Sequence, residues 1–129
     1  MLVVDAANVV GSRPNGWWRD RGKAAADLCR DLTAAVESGQ LTAPVVAVVE
    51  GQARGGVVEG EANGLRVVHA AGSGDDAIAA VVAQSIGDGE SVTVVTADRG
   101  LRDRVQQAGG EVVGPRWLLN QIAGRPSHQ

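Results

Sequence analysis

The sequence predicts an α/β three-layer sandwich around a five-stranded, mainly parallel sheet in the order 3-2-1-4-5. Three observations point there. Short valine-rich runs alternate with longer amphipathic stretches along the chain, the pattern of strands and helices in an open α/β fold. The runs are mostly continuous rather than alternating in polarity, which suits strands covered on both faces. Capping residues and glycines punctuate the helical stretches.

Taken in order, strands are predicted at residues 2–4, 44–49, 65–68, 91–95 and 111–113. Over residues 23–37, Ala25, Leu28, Cys29, Leu32, Ala35 and Val36 recur at helical spacing, and Gly39 is placed to end that helix. Residues 51–64 are glycine-rich, carry Glu59 and Glu61, and read as a long loop with a half-formed helix. Residues 75–86 put Ile78, Ala79, Val82 and Ile86 on one helical face, with Ser73 or Asp75 at the N-cap and Gly87 beyond the end. A short helix over 99–108 is stopped by Gly109 and Gly110, and Pro115 opens a last one containing Trp117, Leu118 and Ile122. One domain is expected over residues 1–123, with a flexible tail at 124–129.

Composition narrows the function classes. With 129 residues there is room for one domain, since domains usually run to about 100–200 residues. Such a chain buries roughly two thirds of its unfolded surface, enough for a core without staples. Cys29 is the only cysteine, which excludes an internal disulfide framework and a multi-cysteine zinc site. No apolar run nears the ~18–20 residues of a membrane span, and the start on a strand-like segment leads us to expect no signal peptide and a cytoplasmic location. Phe and Tyr are absent, so Trp17, Trp18 and Trp117 supply the aromatic surface. A formal charge of -3 argues against a generally basic nucleic-acid coat. It leaves room for a local patch of arginines.

The position of the aspartates is the informative feature. Asp5 ends the first strand, Asp75 and Asp76 open the helix after the third, and Asp98 follows the fourth in Thr96-Ala97-Asp98-Arg99. Ligands of open α/β sheets collect outside the carboxyl ends of the strands, and in the predicted order the first and fourth strands are neighbours, so Asp5 and Asp98 converge. Singly, Asp75 reads as a helix cap, Asp98 as a turn residue and Asp5 as an edge polar group. Gathered on one edge, like charges raise one another's pKa unless a cation is present. Oxygen donors of this kind suit Mg²⁺ or Mn²⁺, as one or two ions.

Competing chemistries fail on particular residues. An aspartyl-phosphate phosphatase needs a second Asp two residues after the nucleophile, where Ala7 stands, and a downstream lysine, whereas Lys23 is the only lysine and lies on the first predicted helix. A receiver domain fails for want of the same lysine. Neither a phosphate-binding Gly-Lys-Ser/Thr loop nor a dinucleotide glycine fingerprint is present. No nucleophile–His–Asp set is credible, because His69 ends a strand, His128 lies in the tail and Cys29 sits on an apolar helix face.

Val3-Val4-Asp5-Ala6-Ala7-Asn8-Val9-Val10-Gly11, then Gly74-Asp75-Asp76-Ala77-Ile78, then Val94-Val95-Thr96-Ala97-Asp98-Arg99-Gly100-Leu101, together resemble the NYN branch of the PIN-like nuclease superfamily, and most closely its YacP-like group. The similarity runs over nearly the whole chain in the right order. It implies a five-stranded parallel sheet and an acidic, Mg²⁺- or Mn²⁺-dependent ribonuclease centre. By this resemblance Asp5, Asp75 and Asp98 match the metal-binding carboxylates, Asn8 the motif asparagine and Thr96 the small hydroxyl residue that orients the centre. Asp76 has no firm counterpart and stands either as a fourth ligand or as a charge at the helix N-terminus. The additional acid that many PIN nucleases carry on the first helix has no clear match, since Asp27 and Asp31 occupy solvated helical positions.

The expected reaction is hydrolysis of an RNA phosphodiester, in processing or turnover, leaving a 5′-phosphate. Phosphate contacts are expected from Arg13, Arg19 and Arg21 beside the centre, extended by Arg99 and Arg102. Of Trp17 and Trp18, one is expected to pack in the core and the other to offer a stacking face; Trp117 is expected to pack. The expected partner is RNA, single-stranded or structured, with no membrane and a homodimer left open. The alternatives are a catalytically inactive RNA-binding module of the same fold, or a nucleotide pyrophosphohydrolase using the same cations.

Overall fold

The structure is a computed structural model, and it describes residues 1–124. All but the first residue of the expected tail, His128 included, lies outside the described residues. Strand β1 (Leu2–Asp5) is followed by a short helix α1 (Ala6–Gly11), a 3₁₀ turn at Trp17–Arg19, and helix α2 (Arg21–Glu37). Strand β2 (Val45–Val49), a second 3₁₀ turn (Gly51–Gly56), and the hairpin of β3 (Gly60–Ala62) and β4 (Leu65–His69) come next. The chain continues with α3 (Gly74–Gly87), β5 (Thr93–Val95), α4 (Arg99–Gln107), β6 (Glu111–Val113) and α5 (Pro115–Ile122).

The sheet order is β3-β4-β2-β1-β5-β6. Five strands pair in parallel, in the order expected from the sequence. The sixth, β3, is an addition: it pairs antiparallel with β4. Asn63 and Gly64 close this hairpin with φ of 55° and 83°, the two left-handed residues of a tight two-residue turn. The stretch read as one long loop is therefore a 3₁₀ turn followed by an edge strand.

Successive residues of a strand point to opposite faces, and here both faces are covered. Leu2, Val4, Val45, Ala47, Val49, Leu65 and Val67 pack with α1, α2 and α5 residues such as Val9, Leu28, Leu32 and Leu118. Val3, Val46, Val48 and Val94 pack with Ile78 and Val82 of α3 and Leu101 and Val105 of α4. That division explains the unbroken valine runs and gives the three layers.

Helix ends follow local chemistry. Asp20 caps α2 by accepting from the Lys23 amide, and Ser73 caps α3 by accepting from the Asp76 amide. Gly39, at φ 82°, closes α2 as expected. Helix α3 runs one residue further than expected: Gly87 is its last residue, Asp88 its C-cap, and Gly89, at φ 87°, the left-handed residue. Among the described residues no helix is long and apolar enough to cross a membrane.

Candidate functional site

The carboxyl ends of β1 and β5 lie side by side, because Val4 pairs with Val95. Asp5 leaves β1 as the N-cap of α1, with one carboxylate oxygen accepting from the Asn8 amide at 3.4 Å. Thr96, fully buried just past β5, donates its hydroxyl to the other oxygen at 2.8 Å. The same Thr96 Oγ1 accepts from the Asp98 amide at 3.1 Å. Asn8 Oδ1 accepts from the Ala97 amide at 2.8 Å. Asp98 in turn caps α4 by accepting from the Leu101 amide at 2.9 Å, and Arg102 donates to the Thr96 carbonyl. Asp5, Asn8, Thr96 and Asp98 thus form one hydrogen-bonded chain across two strand ends.

Asp75, in the first turn of α3, faces the same rim, and the charges of Asp98 and Glu50 act on it. Glu50 is the residue that sequence reasoning missed. It follows β2 as Asp5 closes β1, and its Oε2 accepts from the Gly74 amide at 2.9 Å. Its carboxylate packs close to Gly74, where a Cβ would lie 2.9 Å from Oε1 and push the end of the Glu50 side chain aside. The signal that could have found it was its place one residue beyond a strand, on the edge where Asp5 and Asp98 stand.

Electrostatics follow from burial. Asp5 is only 5% exposed. Burial pushes its carboxyl above the ordinary range; the Thr96 hydroxyl and the Asn8 amide pull it back, and the charges of Asp75 and Glu50 push it further up. Asp75 is raised by burial, then by Asp98 and Glu50, with Arg104 opposing and Asp76 adding to the rise. Among the described residues the carboxylates in ion pairs are Asp27, Asp31 and Asp76, and none is Asp5, Glu50, Asp75 or Asp98. The rim is a set of all-oxygen donors in surplus negative charge, and donor type fits a hard divalent cation. Among the described residues, however, no three His, Cys, Asp or Glu side chains are arranged to hold a metal ion. Asp5, Asp98 and Glu50 each spend an oxygen on a backbone amide, so their carboxylates are spread over separate caps.

The other predicted site residues divide. Asp76 is exposed and turned to α4, where Arg104 pairs with it at 3.0 Å. Arg13 is half-buried and committed to Asp31 on α2 at 2.9 Å, which takes it away from the exposed face expected for a phosphate contact. Asp27 and Asp31 are half-buried and paired rather than solvated. Trp17 packs against the core beside α1 and α2, whereas Trp18 is 57% exposed; their rings meet edge to face at 6.1 Å. Arg19 lies over Trp18 and Arg21 over Trp17. Arg99 is exposed in the first turn of α4, and Trp117 packs against the core. His69 is structural: its Nε2 donates to the Val57 carbonyl and its amide to Glu59. Burial pushes the Cys29 thiol up to about 11, so it is an inert core residue.

The layers and the strand order give a fold similar to that of solved YacP structures. Two solved structures share this architecture, both of Rae1 (YacP) from Bacillus subtilis. One, a tryptophan-to-leucine variant, superposes at a TM-score of 0.74 with 16% identity, covering 95% of this chain and 74% of its own. The other gives a TM-score of 0.68 with 18% identity, covering 96% and 74%. At such identity the likeness is one of fold. No protein-family model and no curated protein matches the sequence.

Proposed function

We propose that the protein is a metal-dependent ribonuclease that hydrolyses RNA phosphodiester bonds at the edge formed by β1, β2, β5 and the start of α3. The observation that carries this reading is Asp5: a carboxylate buried at the switch point of the sheet, held in one orientation by Thr96, and crowded by Asp75 and Glu50. Burying a charge without a counter-charge is costly, and the charges of Asp75 and Glu50 beside it add to that cost.

Asp5, Asp75 and Asp98, with Glu50 beside them, are the residues that would hold Mg²⁺ or Mn²⁺. When bound, such a cation offsets their charge, acidifies water and polarises a phosphoryl oxygen. The chain supplies the rest. Thr96 orients Asp5 with its proton and receives the Asp98 amide with its lone pair. Asn8 ties the start of α1 to the turn before α4, which holds the two acids in register. Arg19 and Arg21 supply positive charge for phosphates on one flank and Arg99 on the other, while Trp18 offers a face on which a base stacks. The net negative charge makes binding modest and dependent on salt.

The test is cleavage of single-stranded RNA in Mn²⁺, with Asp5→Asn and Asp98→Asn as controls. Cleavage by the wild type that both variants lose is the expected result. RNA retention without cleavage in Mn²⁺ or Mg²⁺ points instead to an inactive RNA-binding module, a reading favoured by the present spread of the carboxylates over separate caps. Pyrophosphate release from a nucleotide with RNA untouched points to a pyrophosphohydrolase.

A further inference from the structure

A cavity of about 560 Å³ opens beside the acid rim, between α1, the start of α2 and the 3₁₀ turn after β2. We infer that it is a nucleobase subsite, which takes one unstacked base of the strand whose phosphate lies at the acids. The inference rests on the ribonuclease reading and adds what that reading lacks: a site that sees the base rather than the backbone.

The lining carries the argument. Helix α1 contributes only Ala6, Ala7 and Val10, and the 3₁₀ turn contributes Ala53 beside Gly51 and Gln52. These small apolar groups leave a slot between elements. Trp17 closes one side with its ring, placed by packing against α1, where a Cβ on Gly11 would stand 3.8 Å from it. The volume lies within the roughly 300–1,000 Å³ of small-molecule pockets, which combine apolar walls with a few placed polar groups. Here those groups are Glu50, Gln52 and Arg21. A carboxylate accepts from the N–H edge of a base, an amide both donates and accepts, and a guanidinium binds the adjoining phosphate. Glu50 belongs both to this lining and to the acid rim, so the two sites share a wall.

One border of the slot is fixed by a backbone contact. The 3₁₀ turn is pressed onto α2 where Gly56 meets Gly22; a Cβ on Gly56 would collide with the Gly22 carbonyl. The turn therefore cannot move closer to α2, which fixes the border of the cavity where the two elements meet. A base entering here meets a preformed space, so binding needs little reorganisation.

The experiment is a titration of the full chain, metal-free, with 5′-AMP, 5′-GMP and, as the base-less probe, ribose 5-phosphate, followed in ¹H–¹⁵N spectra. The expected result is movement of the Ala6, Ala7 and Ala53 amides and the Trp17 indole with the nucleotides but not with ribose 5-phosphate. Ala53→Leu, which fills the slot, should weaken nucleotide binding by ~10-fold or more; Ala7→Leu does the same from the exposed α1 side if the first variant is unstable. Equal shifts with ribose 5-phosphate, or shifts confined to Trp18 and Arg19, overturn the inference. RNA cleavage by a chain that shows no slot shifts overturns the subsite and leaves the ribonuclease reading standing. Base-dependent shifts in a chain that cleaves nothing support the subsite and count against catalysis.

Discussion

Two neighbouring regions at the carboxyl edge are built in opposite ways. The acid edge is set by the sheet: Asp5 and Thr96 are buried at adjacent strand ends and joined to Asn8 and Asp98 by hydrogen bonds of 2.8–3.4 Å. The arginine–tryptophan segment after α1 is set by local contacts. A 3₁₀ turn of three residues exposes Trp18 and Arg19, and only Trp17 is anchored in the core. The difference teaches that groups at strand ends have their positions set by the topology of the sheet. Side chains on the three-residue 3₁₀ turn are instead placed by neighbours close in sequence.

The sharpest way to break this comparison is Thr96→Val. It keeps the shape but leaves Asp5 and the Asp98 amide without their shared partner. Losses of about 10–100-fold are typical when a residue orienting a metal ligand is removed, and a loss of that size in Mn²⁺-dependent RNA cleavage is expected. Restoration by Thr96→Ser, measured as kcat at saturating metal, would separate positioning from general damage. An unchanged rate shows that the hydroxyl does not organise the edge.

The two tryptophans come next. Full truncation of a buried tryptophan costs about 3–5 kcal/mol; Trp17 is partly covered, so Trp17→Ala should cost roughly half as much in urea unfolding. Trp18→Ala should change stability by no more than about 0.5 kcal/mol, while weakening single-stranded RNA binding by ~1–3 kcal/mol. Equal stability losses in both would erase the distinction drawn between anchored and exposed rings.

Asp75 tests the acid edge through pH. Its folded pKa is raised above the ordinary 3.8, so the unfolded chain releases this proton first as pH rises. Stability therefore falls from about 3.8 up through the raised folded value and stays lower above it. Asp75→Asn should remove that decline and raise the apo melting temperature at pH 7, while abolishing any rise on adding Mn²⁺. A fall in apo stability at pH 7 would mean that the carboxylate is a structural partner.

The smallest effect on stability belongs to Asp98, whose Oδ1 caps α4. Asparagine caps nearly as well as aspartate, whereas alanine costs about 1 kcal/mol. Thermal melts should therefore leave Asp98→Asn close to wild type and Asp98→Ala lower. The same Asp98→Asn chain should lose its response to Mn²⁺.

Much of the architecture was legible because burial on both faces writes itself as unbroken valine. Residues 45–49 are the clearest case, all buried and central in the sheet. What escaped notice was short or polar. Helix α1 has six residues, too few to show a period, and its one signal was Asp5 capping toward Asn8. Strand β3 is exposed throughout, so no apolar alternation marked it, although Asn63-Gly64 is a hairpin signal in its own right. On the acid edge, Asp5, Asp75 and Asp98 could be assigned because each follows a recognisable strand or opens a recognisable helix. Glu50 fell between the strand read as ending at residue 49 and the loop read from residue 51, and was assigned to neither. That Arg13 pairs with Asp31, and Asp76 with Arg104, depends on side-chain approach between distant elements, which no local pattern encodes.

The borders of the sheet bear on how two copies can meet. Both are three residues long: β6 on one side, and on the other the fully exposed Gly-Glu-Ala of β3, with Glu61 at its centre. A second molecule trying to extend the ribbon would find few amides to grip and a carboxylate in its path. The hairpin that lengthens the fold by one strand thus also blunts its flank against edge-to-edge pairing.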